Sequence, residues 1–290
     1  MLIEVVLAEL SAIVVLSAVT LFLEMLIFRH KSVLVLWKQS PPLCLFLTSA
    51  TLLGFQNIAM SCQWIFFAAG SISNVPENTV FLLLVAHFGL VTRQFHNCVT
   101  VALFAQRVRC LMFPTKPLGK FNYFTLATVL TFFAVAACGT TYTLVVNVTL
   151  HGEPVPPGCF SFNCMIANSE SVRMWASTSA VTITVGITVI GSFMLVLFFR
   201  YRKRNQSAAE KTSNNFTLYV FYIRFACETL PFLTDLVLAK AMYINLGKYV
   251  GPYGALGSTI DLTLKASAYY YLLVRSQVKV CKVSAARSTS

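Results

Sequence analysis

Charged side chains are scarce in this chain of 290 residues, which has 22 Lys and Arg, 10 Asp and Glu, and charged residues at only 11% of all positions. Soluble globular domains carry about 25% charged residues, so this composition excludes an ordinary soluble domain. Hydrophobic residues make up 57% of the chain, and its mean hydropathy is +0.73. We therefore expect one membrane domain that comprises residues 1–290.

Signatures of enzymatic chemistry are also missing from the sequence. It has no glycine-rich loop to cradle a phosphate and no nucleophile elbow, and its four His residues do not stand at metal-ligand spacing. We expect neither an enzyme nor a bound cofactor or metal. The net charge is +12. In a membrane protein, basic residues are attracted to the anionic lipid headgroups at the membrane surface, so we expect no nucleic-acid partner.

Long apolar runs are the main feature that the chain does have. A helix that crosses a bilayer needs about 20 predominantly apolar residues, and seven stretches meet that requirement. The predicted spans are residues 5–28, 43–69, 79–104, 123–146, 175–199, 216–238 and 253–274. These spans predict an all-α membrane protein, a bundle of seven transmembrane helices.

Basic residues are concentrated in every second loop between these spans. The loops after spans one, three and five and the tail after span seven hold 16 of the 22 Lys and Arg, whereas the opposite loops hold three. Lys and Arg close to a span mark its cytoplasmic side. We therefore expect the N-terminus outside and the C-terminus in the cytoplasm.

This topology sorts the sites of covalent modification. Cys159 and Cys164 fall in the long outer loop, where an oxidising compartment favours a disulfide that involves one or both. Asn147 begins an outer glycosylation sequon close to the end of span four. Cys281 lies in the basic inner tail, where either palmitoylation or a plain thiol fits.

The inner end of span three resembles a receptor motif in part, with Gln106 in place of the acid and Val108 in place of the Tyr. Gln106, Arg107 and Val108 are followed by Pro114, which resembles the Asp-Arg-Tyr motif of rhodopsin-type G-protein-coupled receptors and the proline after it. Span six contains Pro231, whose ring removes a helical hydrogen bond and clashes with the carbonyl four residues earlier. Span six is therefore expected to have a kink, which acts either as a hinge or as a static bend.

Other landmarks of rhodopsin-type receptors are absent, including the Trp before the proline of span six and the Asn-Pro-x-x-Tyr motif of span seven. The chain is more similar to the divergent nematode serpentine chemoreceptors, with the class BC group as a candidate subclass. The similarity rests on 24 Phe residues, the short N-terminus, the segment YIRFACETLP at 222–231 and the segment YVGPY at 249–253.

This resemblance implies a chemosensory receptor in the plasma membrane of a sensory cilium, with a small-molecule ligand and a heterotrimeric G protein as partners. Because the basic set is predicted to face the cytoplasm, the residues expected to contact the G protein are Arg107, Arg109, Arg202, Lys203 and Arg204.

Ionisable residues deep inside the spans are the candidate ligand site. Insertion of such residues costs at least about 2.5–3.5 kcal/mol each, so they face the bundle interior and pair with one another. Helical periodicity places Arg93 and His96 on the same stripe of span three as Arg107. The residues predicted to meet at one depth are Arg93, His96, Arg224, Glu228, Asp261 and Lys265.

Two interpretations of this cluster stay open. The residues either tie three helices together or leave one cation for an anionic or carbonyl-bearing ligand. Arg224 and Glu228, and likewise Asp261 and Lys265, stand four positions apart and are predicted to pair within their own helices.

Two other classes of protein compete with the receptor. Asp261 and Lys265 also resemble the seventh helix of microbial rhodopsins, in which the Lys binds retinal. Span three has no acidic residue to accept a proton, however, and the chain has only three Trp for a retinal pocket. A membrane transporter or channel is the remaining alternative.

Overall fold

The computed structural model describes residues 3–114, 118–148, 154–155, 159–160, 165, 170–201, 208–241 and 252–288. Within these ranges every regular element is a helix, which confirms the all-α class. The elements are α1 (Ile3–His30), α2 (Val33–Gln39), α3 (Pro41–Ala68), α4 (Pro76–Met112), α5 (Gly119–Val148), α6 (Glu170–Tyr201), α7 (Ala208–Arg224), a π-helix (Phe225–Thr229), α8 (Leu230–Ala241) and α9 (Tyr253–Ser288).

Six helical segments among the described residues are long and apolar enough to cross a membrane. They are Ile3–His30, Pro41–Ala68, Pro76–Met112, Gly119–Val146, Ser171–Tyr201 and Glu210–Asp235. Each overlaps one of the first six predicted spans. The helix of the seventh predicted span, α9, has 36 residues but does not belong to this set, because Asp261, Lys265 and several hydroxyl side chains lower its hydropathy.

The helices extend beyond the predicted spans at several ends, and the segment between the first two spans is an example. The first predicted inner loop contains the short helix α2, and α3 begins directly after it with Pro41 in its first turn. The Ser40 hydroxyl caps α3 by accepting a hydrogen bond from the Leu43 N–H at 3.4 Å. Proline suits this position because the first helical N–H groups have no partner within the helix.

The predicted sixth span is an interrupted helix. The π-helix separates α7 from α8, and the Leu230 N–H donates to the Phe225 carbonyl five residues earlier. Pro231 follows as the second residue of α8 and offers no N–H to the Cys227 carbonyl. The Cys227 carbonyl oxygen packs against α9. A Cβ atom added at Gly257 of α9 would lie only 2.8 Å from this oxygen.

Helix α4 lies at the centre of the bundle, where it packs against α3, α5, α6 and α7. α1 packs against both α3 and α9. Large apolar side chains also cover the perimeter, and Phe22, Phe55 and Phe124 are each more than half exposed. Contiguous apolar surface of this kind needs a covering, and a lipid bilayer provides one.

Polar contacts attach α9 to the rest of the bundle. The hydroxyls of Thr263 and Thr20 lie 2.8 Å apart, which joins α9 to α1. The Asn57 side chain donates to the Thr259 hydroxyl at 3.1 Å, which joins α9 to α3. These hydrogen bonds turn the polar side of α9 inward, away from the perimeter.

At the other end of the bundle, Asn74 holds a piece of the predicted outer loop. Its side-chain amide donates to the Val155 carbonyl at 2.9 Å, and its side-chain oxygen accepts from the Val155 N–H at 2.8 Å. Val155 and Cys159 are buried in one apolar cluster with Leu10 and Trp64. This part of the loop therefore covers the ends of α1, α3 and α4.

The close contact between Gly257 and the Cys227 carbonyl generates a prediction about stability. A Gly257→Ala substitution forces the π-helix away from α9, and overpacking of this kind costs about 1–3 kcal/mol. We expect a lower temperature of thermal unfolding for the detergent-solubilised protein. Gly254→Ala, on the same helix but with no atom within 4 Å of the added Cβ, should leave that temperature unchanged. Equal unfolding temperatures for both variants would contradict the packing described.

Candidate functional site

The predicted polar stripe of span three lies on the inner side of α4. His96, Thr100 and Arg107 are buried with at most 8% of each residue exposed, whereas Arg93 is partly exposed. Because α4 packs against four other helices, this stripe can meet side chains from several elements. It meets them at two levels, around His96 and around Arg107.

At the first level, Asp261 of α9 is the centre of an ion-pair network. It is fully buried and forms a salt bridge with Lys265, one helical turn later on α9. Its Oδ2 also lies 3.5 Å from Nη1 of Arg224, at the end of α7. One carboxylate thus joins α9 to the helix that precedes the π-helix.

Arg224 connects the same network to α4. Its Nη2 donates to the side-chain oxygen of Asn97 and to Glu228, which stands four residues later in the π-helix. Both predicted pairs, Arg224 with Glu228 and Asp261 with Lys265, are therefore confirmed. Sequence reasoning missed Asn97, although this residue directly follows His96 at the same depth of a predicted span.

His96 extends the network to α3. Its Nε2 lies 3.3 Å from Lys265 Nζ, and its Nδ1 lies 2.9 Å from the Ser49 hydroxyl. The Ser49 hydroxyl itself donates to the Phe46 carbonyl, so it accepts from Nδ1–H of His96. Nε2 then carries the lone pair and accepts from the Lys265 ammonium. This arrangement assigns a neutral His96 beside a charged Lys265.

Phe46 completes the surroundings of Lys265. Its ring centroid lies 5.2 Å from Lys265 Nζ and 4.8 Å from the His96 ring centroid. The ammonium group is therefore in contact with a carboxylate, an imidazole and an aromatic face, and only 2% of the Lys265 side chain is exposed. No feature of the sequence indicated Phe46 or Ser49, because apolar and hydroxyl residues are common in every span.

At the second level, the buried Arg107 lines a narrow cleft that has no room for a water molecule. The cleft lies between α4, α6 and α7, and its other lining residues are Leu111, Met194, Phe198, Asn214, Thr217 and Leu218.

Gln106, which stands where rhodopsin-type receptors have an acid, instead accepts a hydrogen bond from Ser40 at 2.6 Å. Arg109 lies over the rings of Phe113 and Phe121. The Nε of Arg107 has no hydrogen-bond partner among the described residues, so this cation can still bind a group that supplies hydrogen-bond acceptors.

The remaining predicted sites receive less structural detail. Cys159 is disulfide-bonded, but Cys164 lies outside the described residues, as do Arg202, Lys203 and Arg204. Asn147 and Cys281 belong to α5 and α9, although their side chains are not described. Among the described residues, no three His, Cys, Asp or Glu side chains are grouped to hold a metal ion.

Comparison with other proteins gives no family for this chain. The sequence matches no protein-family model and no curated protein, and the fold matches no solved structure. The two polar levels and the helices that connect them are therefore the features that bear on function.

The ion-pair network generates a prediction about charge balance. Asp261→Asn leaves Lys265 and Arg224 without the carboxylate that they share, and an unpaired buried charge costs about 3–5 kcal/mol. We expect a large fall in the thermal stability of the purified protein. The double variant Asp261→Asn/Lys265→Met removes one cation as well and should recover part of that loss. If the single variant were as stable as the wild type, the pairing of Asp261 would be wrong.

Proposed function

We propose that this protein is a seven-transmembrane chemosensory receptor, similar to the nematode serpentine receptors, that binds a small external molecule and signals to a heterotrimeric G protein. In this proposal α9 is the seventh crossing, and the N-terminus is outside. The observation that carries the proposal is that α7 connects the ion-pair network to the cleft at Arg107.

Several contacts support α9 as a membrane-crossing helix in spite of its polar residues. Asp261 and Lys265 pair with each other and with Arg224 and His96, so the bilayer meets no unpaired charge from them. A polar side chain inside a membrane is tolerated when it faces the bundle and has partners. Residues 253–274 of α9 would extend about 33 Å as a helix, which is enough for a hydrocarbon core of about 30 Å.

Helix α7 supplies the connection between the external molecule and the G protein. Arg224 is its last residue and belongs to the ion-pair network, whereas Asn214 and Thr217 line the cleft. Asn214 lies about 15 Å from Arg224 along the helix axis. A helix of this length moves as a unit, so a ligand that changes the partners of Arg224 also changes the walls of the cleft.

The π-helix and Pro231 provide the hinge for such a movement. They separate α7 from α8, and π-helical turns and prolines are the usual causes of a bend in a long helix. The inner segment α7 can then swing while α8 keeps its place. The external molecule shifts this equilibrium only as far as its affinities for the two arrangements differ.

The retinal-binding alternative depends on the same Asp261–Lys265 pair. Attachment of retinal requires an accessible and uncharged amine. The Lys265 ammonium instead pairs with Asp261, donates to His96 and lies against the ring of Phe46. The receptor therefore accounts better for this site.

The proposal is tested by neutralising the basic residues at the proposed cytoplasmic face. In cells challenged with a panel of volatile and water-soluble compounds, a variant with Arg107, Arg202, Lys203 and Arg204 changed to Gln should lose its calcium or cyclic-nucleotide response. We expect a loss of at least about tenfold, equivalent to about 1.4 kcal/mol of coupling free energy.

The matched control removes other basic residues of the same predicted side. The control variant Arg29→Gln/Lys31→Gln changes two residues around the end of α1, away from the cleft. Cells that express it should respond to the compounds like cells with the wild type. Surface expression of all variants is measured in parallel. A full response from the fourfold variant at normal surface expression would contradict the proposed G-protein contact.

A further inference from the structure

We infer that the ligand carries a single negative charge, most simply a carboxylate, and that the guanidinium of Arg93 binds it. This inference rests on the proposed function for the role of the ion-pair network as a ligand site. It deepens that proposal because it assigns a chemical class to the ligand and a single residue to its recognition.

The partners within the network leave Arg93 as the surplus cation. Arg224 is bound to Asn97 and Glu228 and faces Asp261, and Lys265 is bound to Asp261 and His96. Both carboxylates are thus engaged by other cations. Arg93 interacts electrostatically with Glu228 and Asp261, but it forms no hydrogen bond or salt bridge with a side chain in the described part of the chain.

The charges of the network determine the charge of the ligand. Arg93, Arg224 and Lys265 carry three positive charges against the two negative charges of Glu228 and Asp261, and His96 is neutral in the hydrogen-bond assignment above. The formal sum is +1. A charge inside a membrane protein needs a counter-charge nearby, so a monoanion makes the site neutral. A phosphate monoester, at about −1.5 to −2 near pH 7, would leave an excess of negative charge.

Exposure distinguishes Arg93 from the other cations. Arg224 and Lys265 each expose 2% of their side chains and Asp261 exposes none, whereas Arg93 is partly exposed and Glu228 exposes 18%. Arg93 and Glu228 therefore form the less buried edge of the network. Arg93 is the least buried of the three cations of the network.

The chemistry of arginine favours a carboxylate at this edge. A guanidinium presents its donors in a planar fork that matches the two oxygens of a carboxylate, and it stays protonated. Paired bonds of this kind are shorter and stronger than neutral hydrogen bonds. A lysine at the same position would keep the charge but lose the fork.

The experiment uses the full-length protein in detergent and records its thermal unfolding temperature. The probes are the straight-chain monocarboxylates from butanoate to octanoate, the primary amide of each acid, and the alkyl phosphate of each chain length. We expect carboxylates to raise the unfolding temperature of the wild type in a concentration-dependent way. The amides should have no effect, and the phosphates a smaller one.

Variants at one position then test the assigned residue. Arg93→Gln should weaken the apparent affinity for the carboxylates by roughly 30-fold or more, because one member of a close charge pair is removed. Arg93→Lys should retain part of that affinity. Arg173→Gln, which removes a cation of the predicted outer side, should leave it unchanged. Unfolding of each variant without a probe shows whether it is folded.

The inference would be overturned if the amides stabilise the protein as well as the acids do. It would also be overturned if the carboxylates stabilise Arg93→Gln as well as the wild type, or if no carboxylate stabilises the wild type. This measurement needs no G protein. Binding that depends on Arg93 without any cellular response would retain the anion site and reject the receptor function.

Discussion

The neutralisation of charge inside a low-dielectric bundle is the constraint on which the rest of the structure depends. Arg224, Asp261 and Lys265 are almost completely buried, and each would be very costly to leave unpaired in such surroundings. Their pairing fixes which sides of α4, α7 and α9 face one another. The helices are thus held in register by a few directional contacts as well as by apolar packing, which is itself abundant around α4.

In the proposed receptor, the same contacts would carry the signal. Asp261 is shared by two cations from two helices, so any group that competes for one of them alters the hold on the other. Arg224 stands directly before the π-helix, at the point where the long sixth predicted span is interrupted. The structure thus places a shared carboxylate, an interrupted helix and the cleft at Arg107 along the same α7.

The sequence predicted the helices well, because the length of an apolar run and the spacing of charges along one helix are local properties. The inward stripe of α4 and the pairs four residues apart, Arg224 with Glu228 and Asp261 with Lys265, follow from helical periodicity alone. The contacts of His96 with Ser49 and Lys265, and of Arg224 with Asn97, depend on the rotation and depth of neighbouring helices. The spacing of residues along the chain gives no information about the rotation or the depth of neighbouring helices.

Two further features of the site were hidden for the same reason. The sequence did not identify which cation of the network carries the surplus charge, and the contacts of Arg224 and Lys265 with Asp261, Glu228 and His96 leave Arg93 as that cation. The π-helix before Pro231 was also not predicted, although the proline itself indicated a bend. The position of Gly257 against the Cys227 carbonyl explains how the π-helix is packed, and this contact joins residues 30 positions apart in the chain.

The proposed passage of α9 across the membrane is the central claim, since α9 carries two members of the network but is less apolar than the six helical segments that are long and apolar enough to cross. Epitope tags at the two ends of the chain, stained in intact and in permeabilised cells, measure this. Seven crossings predict that the N-terminal tag is stained in intact cells and the C-terminal tag only after permeabilisation. Two tags on the same side of the membrane would mean an even number of crossings and would contradict the account.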